Sequence, residues 1–212
     1  MRATRQGDEM NLLRCIILLQ FTTTLAFGQL AHPSKPPSAP KQPDAMVRTL
    51  YREVVDRHPV GIPGDADMKI FAPYLSESLH HRIDLAIACA ADEARQHSDP
   101  HSKPEVAWLE AGLFSGDDEQ GSPRTFHIEK TQEESDGSFR VDVRLTWGSP
   151  SKPWIWRVAA IVIRENGHFA VDDVIYLKDE NREVDSRLSE YLSAGCDGGR
   201  WVGNGKSPNK LN

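Results

Sequence analysis

The stretch Ser138–Leu177 decides the fold, since it contains three consecutive strand-like segments: SFRVDVRLTW (138–147), PWIWRVAAIVIREN (153–166) and HFAVDDVIYL (168–177). In the first, apolar side chains occupy every second position from Phe139 to Trp147, as in a strand with one face against a core. The second is apolar on both faces, which predicts a central strand covered on both sides. In the third, the alternation changes parity at Asp172-Asp173, which predicts a β-bulge there.

Turn residues separate these segments and place further strands beside them. Gly148–Pro153 is predicted to end the first strand, and Asn166-Gly167 is typical of a type I′ hairpin turn. An earlier strand is predicted at Arg124–Thr131, and a weaker fifth one at Val106–Phe114. The prediction is a curved antiparallel meander of four to five strands.

The chain before the sheet has helical periodicity. Ala45–His58 is predicted to be an amphipathic helix with Asp44 as its N-cap, and a short helical piece follows. Ser76 is placed to cap a longer helix. Glu183–Ser193 is predicted to form a last short helix after the sheet. Helices followed by an antiparallel sheet predict an α+β domain.

Residues 1–28 have the pattern of a secretory signal peptide. Arg14 precedes an apolar run, and Ala26 and Gly28 stand at positions −3 and −1 of a cleavage site. The alternative is an uncleaved anchor, but the run is short for a membrane span and contains Gln20. The pattern therefore predicts an exported protein, periplasmic or secreted, without a stable membrane anchor.

The rest of the chain divides by composition. Residues 29–44 are predicted to be a proline-rich linker, 45–203 the folded domain and 204–212 a disordered tail, and translation starts at Met1 or Met10. Charged residues make up 26% of the chain and its net charge is −6, which does not indicate a nucleic-acid partner.

Two motifs resemble a known superfamily. These are Tyr74-Leu75-Ser76-x-x-Leu79 at the entry to the long helix, and Gly167-His168-Phe169-x-Val171-Asp172-Asp173-Val174-x-Tyr176 in the last strand. Together with the helix–helix–sheet order, they resemble the NTF2-like superfamily. Within it, the chain is most similar to exported bacterial proteins of the domain of unknown function 3828 family, over about Met46–Trp201.

The resemblance implies an NTF2-like (cystatin-like) cone, in which N-terminal helices pack on a curved sheet and a cavity lies between them. It implies no particular reaction, cofactor or catalytic residue, because the superfamily includes enzymes, binding modules and dimerisation domains.

Cys89 and Cys196 are the two cysteines that remain after leader removal, and export favours a disulfide between them. The alternative is a pair of free thiols. His80 and Asp84 share a helical face, but two ligands are too few for a metal site, so they are interpreted as exposed polar residues.

Four residues are candidates for binding a ligand inside the cone: Trp147, Trp156, His127 and Asp172. Tryptophans that line a cavity bind apolar ligands, although large aromatics on a sheet are more often core. Asp172 and Asp173 are alternatively structural residues of the bulge, with one of them paired to a base such as Arg157.

Two functional hypotheses follow. The first is a non-catalytic binding or interaction module for a protein or a small apolar ligand, able to form a homodimer through the sheet and needing no cofactor. The second is a small-molecule enzyme of the hydratase, isomerase or hydrolase type, which would use an inward-facing His127 or Asp172. A filled interior favours the first hypothesis.

Overall fold

The computed structural model describes residues 42–96, 106, 112–116, 122–178 and 184–203. The predicted signal peptide, most of the linker and the predicted tail at 204–212 lie outside these ranges. The helices are α1 (Pro43–Arg57), α2 (Asp65–Phe71), α3 (Glu77–Gln96) and α4 (Leu188–Ser193). The strands are β1 (Thr125–Glu133), β2 (Phe139–Ser149), β3 (Lys152–Glu165), β4 (His168–Tyr176), β5 (Ser186–Arg187), β6 (Cys196–Asp197) and β7 (Arg200–Trp201).

The first five strands form one curved antiparallel sheet in the order β1-β2-β3-β4-β5. The predicted α+β class is confirmed, and so is the central position of β3. The fifth strand was predicted at Val106–Phe114, part of which lies outside the described residues. In the described part, Gly112 makes a single bridge to Gly61 and residues 113–115 form a turn. The fifth strand of the sheet is instead the short β5.

The β2–β3 hairpin is longer than the sequence predicted. Gly148 pairs with Pro153, and only Pro150-Ser151 remain as the loop. The proline is tolerated because β4 pairs with β3 only as far as Val158. Among the described residues, the start of β3 therefore pairs with β2 alone.

Two helix boundaries also differ from prediction. Helix α1 begins at Pro43, because proline suits the first helical position; Gln42 rather than Asp44 is the N-cap. The predicted helix at Glu183–Ser193 is confirmed only from Leu188, since the residues just before it pair with β4.

The two faces of the sheet differ in cover. Helices α1 and α3 pack on one face, here called the inner face, which includes Leu145, Trp156 and Val174. The opposite, outer face is only partly buried: Ala159 is fully buried, but Ile155 on the same strand is 46% exposed. The prediction that β3 is covered on both sides is therefore wrong for this end of the strand. None of the helices in the described ranges is long and apolar enough to cross a membrane.

Candidate functional site

A five-residue segment, 112–116, fills the inner face of the sheet and is here called the plug. Leu113, Phe114 and Ser115 are each at most 2% exposed. The Phe114 ring lies 5.1 Å from the ring of Phe71. Gly116 has a positive φ of 66°, and a Cβ at that position would collide with the ring of Tyr176. The plug is therefore packed tightly and tolerates no side chain at its end.

Three consecutive plug carbonyls accept hydrogen bonds from aromatic side chains of three different elements. Tyr176 of β4 donates its hydroxyl to Leu113 at 2.6 Å. Tyr51 of α1 donates to Phe114 and Trp156 of β3 donates its Nε1–H to Ser115, both at 2.9 Å. Burial raises the pKa of Tyr51 well above its usual value, so this hydroxyl remains a donor at any physiological pH. Because each buried donor and acceptor in the set is satisfied, the plug is a stable part of the interior.

The tryptophans predicted as ligand-binding residues belong to this interior. Trp156 is 3% exposed, and its indole Nε1–H donates a hydrogen bond to the Ser115 carbonyl of the plug. Trp147 pairs with Trp154 across the β2–β3 hairpin, and both are partly buried against the hydrophobic core. Both side chains contribute to the packing of the interior.

Asp172 is the bulged residue, as the change of parity predicted. Val171 pairs with Val162 and Asp173 with Ile161, which leaves Asp172 without a partner in the ladder. Its carboxylate accepts a 2.6 Å hydrogen bond from the hydroxyl of Ser76. The same Ser76 oxygen accepts the Leu79 N–H and so caps α3, as predicted. Asp172 therefore anchors the long helix to the sheet.

Asp173 has a different structural role. It is 4% exposed and accepts hydrogen bonds from the backbone N–H of Val174 and from both the N–H and hydroxyl of Ser189 in α4. Its cationic partner is Arg187, at 3.2 Å. The prediction of Arg157 as this partner is wrong, because Arg157 binds Glu129 instead.

Replacing Asp173 by asparagine is expected to lower the free energy of unfolding by about 2 kcal/mol, since a buried, charge-assisted network loses its charge. The same change at the partly exposed Asp172 removes the charge from a single side-chain hydrogen bond and is expected to cost about 1 kcal/mol. Urea denaturation of the two variants measures the difference. A larger loss at Asp172 than at Asp173 would contradict these structural roles.

His127 lies on the outer face and is exposed. It pairs with Arg144 of β2, which pairs in turn with Arg157 of β3, so three basic side chains stand directly opposite one another on adjacent strands. We call these three residues the basic row. The inward-facing position that an acid–base role for His127 requires is not found.

Glu129 holds the basic row together. It is the extra residue of a bulge in β1, where Ile128 pairs with Val143 and Lys130 with Asp142. Its carboxylate lies 2.8 Å from Arg157 and 3.6 Å from Arg144. The hydrogen bond from Arg157, with the nearby positive charges, lowers the pKa of Glu129. One carboxylate thus serves two guanidinium groups.

The C-terminal hairpin of β6 and β7 is attached to α3 at three points. Cys196 forms the predicted disulfide with Cys89, with the Cα atoms 6.0 Å apart. The N–H of Trp201 donates to Asp92, and Gln96 donates to the carbonyl of the same tryptophan. This hydrogen bond from Trp201, assisted by Gln96 and Arg95, lowers the pKa of Asp92. The ionised form of Asp92 therefore stabilises the attached hairpin.

Asp92→Asn is expected to lower the urea midpoint at pH 6 but not at pH 2.5. A carboxyl whose folded-state pKa is lowered stabilises the protein above its unfolded pKa of about 3.9, and this contribution is lost as the pH falls through the folded value. Urea titrations of both proteins from pH 6 to pH 2.5 test this, because the gap between their midpoints should close below about pH 4. A gap that stays constant would contradict the assigned role.

A surface groove of about 320 Å³ lies between α3, α4 and the turn of the C-terminal hairpin. Arg82, Leu85, Leu192 and Glu190 line it. The carboxylate of Glu190 is engaged with the backbone N–H of Arg187. Asp84 is exposed and His80 is partly exposed, with 4.0 Å between His80 Nε2 and Asp84 Oδ1. In the ranges that the structure describes, no three His, Cys, Asp or Glu side chains converge as a metal site requires.

Comparison of the chain with models of known protein families, with curated proteins and with solved structures found no match in any of the three. The functional interpretation therefore depends on the geometry described above.

Two features of the candidate site were missed by the sequence analysis. Residues 112–114 of the plug were interpreted as the end of a strand, and Gly116, just after them, is the local signal against a continuing strand. The basic row was missed because it depends on the register that the Glu129 bulge sets between β1 and β2.

Proposed function

We propose that this protein is an exported, non-catalytic interaction module that contacts another protein through the outer face of its sheet. The filled interior carries the proposal. The plug and the side chains hydrogen-bonded to it occupy the space in which an enzyme of this architecture would hold its substrate. Binding at a surface is then the remaining way for the domain to act.

An NTF2-like cone is the fold we propose, with the domain of unknown function 3828 family as the group it resembles. Support comes from the order of the elements and from α1 and α3 packing on one face of a curved five-stranded sheet. The motif Tyr74-Leu75-Ser76 supports it further, because Leu75 bridges to Val171 and Ser76 caps α3. In this proposal the plug occupies the cavity of the cone.

Export to the periplasm or the extracellular space is supported by the disulfide. Such bonds persist in oxidising compartments and are rare in the cytosol. The signal-peptide pattern of residues 1–28 points to the same destination.

The enzyme alternative lacks a supporting observation among the described residues. Asp172 is engaged by Ser76, and His127 points away from the interior. A general base needs access to a substrate and a group that orients it. Neither residue has both.

The outer face is the surface we propose for the contact. Large apolar side chains are exposed or half-buried along it, namely Ile155, Ile161 and Ile163, beside the basic row. An apolar strip next to charged residues is typical of a protein-binding surface. A homodimer through the sheet would use the same face.

Site-specific photo-crosslinking tests this proposal. A benzophenone amino acid is placed at Ile155, which is 46% exposed on the outer face, or at Ile87, which is 42% exposed on α3. The two positions are matched in residue type and exposure. We expect a protein crosslink in bacterial periplasm from position 155 and not from position 87. Equal crosslinking from both positions, or crosslinking from 87 alone, would contradict the proposal.

A further inference from the structure

We propose that the basic row, His127, Arg144 and Arg157, binds an acidic, extended segment of a different protein. This inference rests on the proposed function, since it names the chemistry of the partner at the same outer face. It goes beyond that function by excluding a second copy of this chain as the occupant.

The three side chains of the basic row are neighbours across the sheet. They are direct cross-strand partners on β1, β2 and β3. Side chains opposite each other in an antiparallel pair have Cβ atoms about 5 Å apart, and like charges at this distance are destabilising. Two arginines therefore face each other at a cost, which Glu129 offsets only in part because it is a single carboxylate.

Glu129 does not engage all the N–H donors of Arg144 and Arg157. A guanidinium group has five N–H donors in a planar arrangement that matches a carboxylate. Arg157 uses two nitrogens on Glu129, whereas Arg144 approaches the same carboxylate through its Nε at 3.6 Å. Arg144 is 41% and Arg157 52% exposed in their side chains, so the remaining donors are open to a partner.

The part of the outer face around the basic row has an excess of positive charge. Lys130 of β1 and Arg140 of β2 lie on the outer face beside the basic row. Asp142 is bound by Arg140 at 2.8 Å, and the Lys130 ammonium contacts only the neutral Gln132 among the described side chains. Lys130, Arg140, Arg144 and Arg157 thus face two carboxylates, Glu129 and Asp142, so two positive charges are in excess. The whole chain has a net charge of −6, so this excess is local.

This charge pattern selects the occupant. Two copies that met through the same face would bring two positive surfaces together, which electrostatic complementarity disfavours. A nucleic acid would match the charge, but it would leave Ile155, Ile161 and Ile163 without apolar contacts and would approach a protein of net negative charge. An extended segment that presents acidic and apolar side chains on the same side contacts both the basic row and the isoleucines.

Binding of a synthetic peptide tests the inference. The probe is an eight-residue, fluorescently labelled peptide in which glutamate and leucine take turns at every second position, with serine between them, so that both point to one side of an extended chain. The comparison peptide has glutamine in place of glutamate. Fluorescence anisotropy with the mature protein measures both dissociation constants. We expect the glutamate peptide to bind at least fivefold more tightly at 50 mM salt, and this advantage to fall by roughly fivefold at 300 mM because the charges are exposed.

A pair of variants localises the effect. Arg144→Gln removes one cation of the row and leaves the shorter Arg157–Glu129 pair in place, so the fold is retained. It is expected to weaken the glutamate peptide about threefold to fivefold. The control is Arg48→Gln, which removes the same charge from an exposed position on α1, the helix that packs on the inner face. It should leave binding unchanged.

Each other outcome overturns the inference in an identifiable way. Equal binding of the glutamate and glutamine peptides would contradict recognition of an acidic partner. Preferential binding of a DNA oligonucleotide of equal charge would replace the protein partner by a nucleic acid. A homodimer that Arg144→Glu strengthens or weakens, without peptide binding, would replace the partner by a second copy. A homodimer of this kind would be compatible with the proposed interaction function. Equal crosslinking at positions 155 and 87 would contradict that function.

Discussion

Replacing Cys89 and Cys196 together by alanine is expected to lower the free energy of unfolding by about 4 to 5 kcal/mol. The disulfide joins residues 107 positions apart, and it closes most of the folded domain into one loop. Cross-linking a loop of this length removes much of the entropy of the unfolded chain. Urea denaturation followed by tryptophan fluorescence measures the loss, since Trp201 in the attached hairpin is buried.

The control for this experiment is a reducing agent. A phosphine reductant should bring the unmodified protein close to the midpoint of the alanine variant and leave the variant itself unchanged. The hydrogen bonds of Asp92 and Gln96 to Trp201 remain in the variant, so the hairpin is weakened without losing every contact. Equal midpoints for the alanine variant and the unmodified protein without reductant would contradict the stabilising role of the bond.

Phe114→Ala is expected to lower the free energy of unfolding by about 3 to 5 kcal/mol. The ring is completely buried in the plug and contacts Phe71, so its removal loses apolar burial and leaves a cavity. Phe139→Ala is the matched control, because that ring is only partly buried against the core and its loss should cost clearly less. Thermal and urea unfolding of the two variants measure the difference.

The same variant tests whether the interior is filled. A cavity of phenyl size lined by apolar side chains binds benzene, which should raise the melting temperature of Phe114→Ala and not that of the unmodified protein. Stabilisation of the unmodified protein by benzene would show an open cavity. A loss below about 1 kcal/mol for Phe114→Ala would show that the plug is not part of the core.

Most of the fold could be predicted because its signals are local. The strict alternation from Phe139 to Trp147 and the change of parity at Asp172 gave the strands and the bulge, and both are confirmed. The Ser76 cap was visible because it needs only a hydroxyl three residues before the N–H that it accepts. The disulfide followed from cysteine number and the inferred compartment rather than from geometry.

The site could not be predicted to the same extent, because its contacts join residues far apart in sequence. The plug carbonyls bind side chains of α1, β3 and β4, and no periodicity of residues 112–116 indicates this. The predicted ion pair with Arg157 was wrong for Asp173 for a similar reason. At the bulge, the Asp173 carboxylate lies against Arg187 and α4. Arg157 instead forms an ion pair with Glu129, the extra residue of a second bulge.

Native mass spectrometry of the protein, expressed from the full gene and purified from the periplasm of a bacterial host, tests the central claim most directly. We expect a chain that starts near Gln29, is lighter by the two hydrogens of the Cys89–Cys196 bond, and carries no small molecule that is released on denaturation. A retained small molecule would contradict the filled interior. It would favour a cavity that binds a ligand or catalyses a reaction. A mass that includes residues 1–28 would contradict export with leader removal.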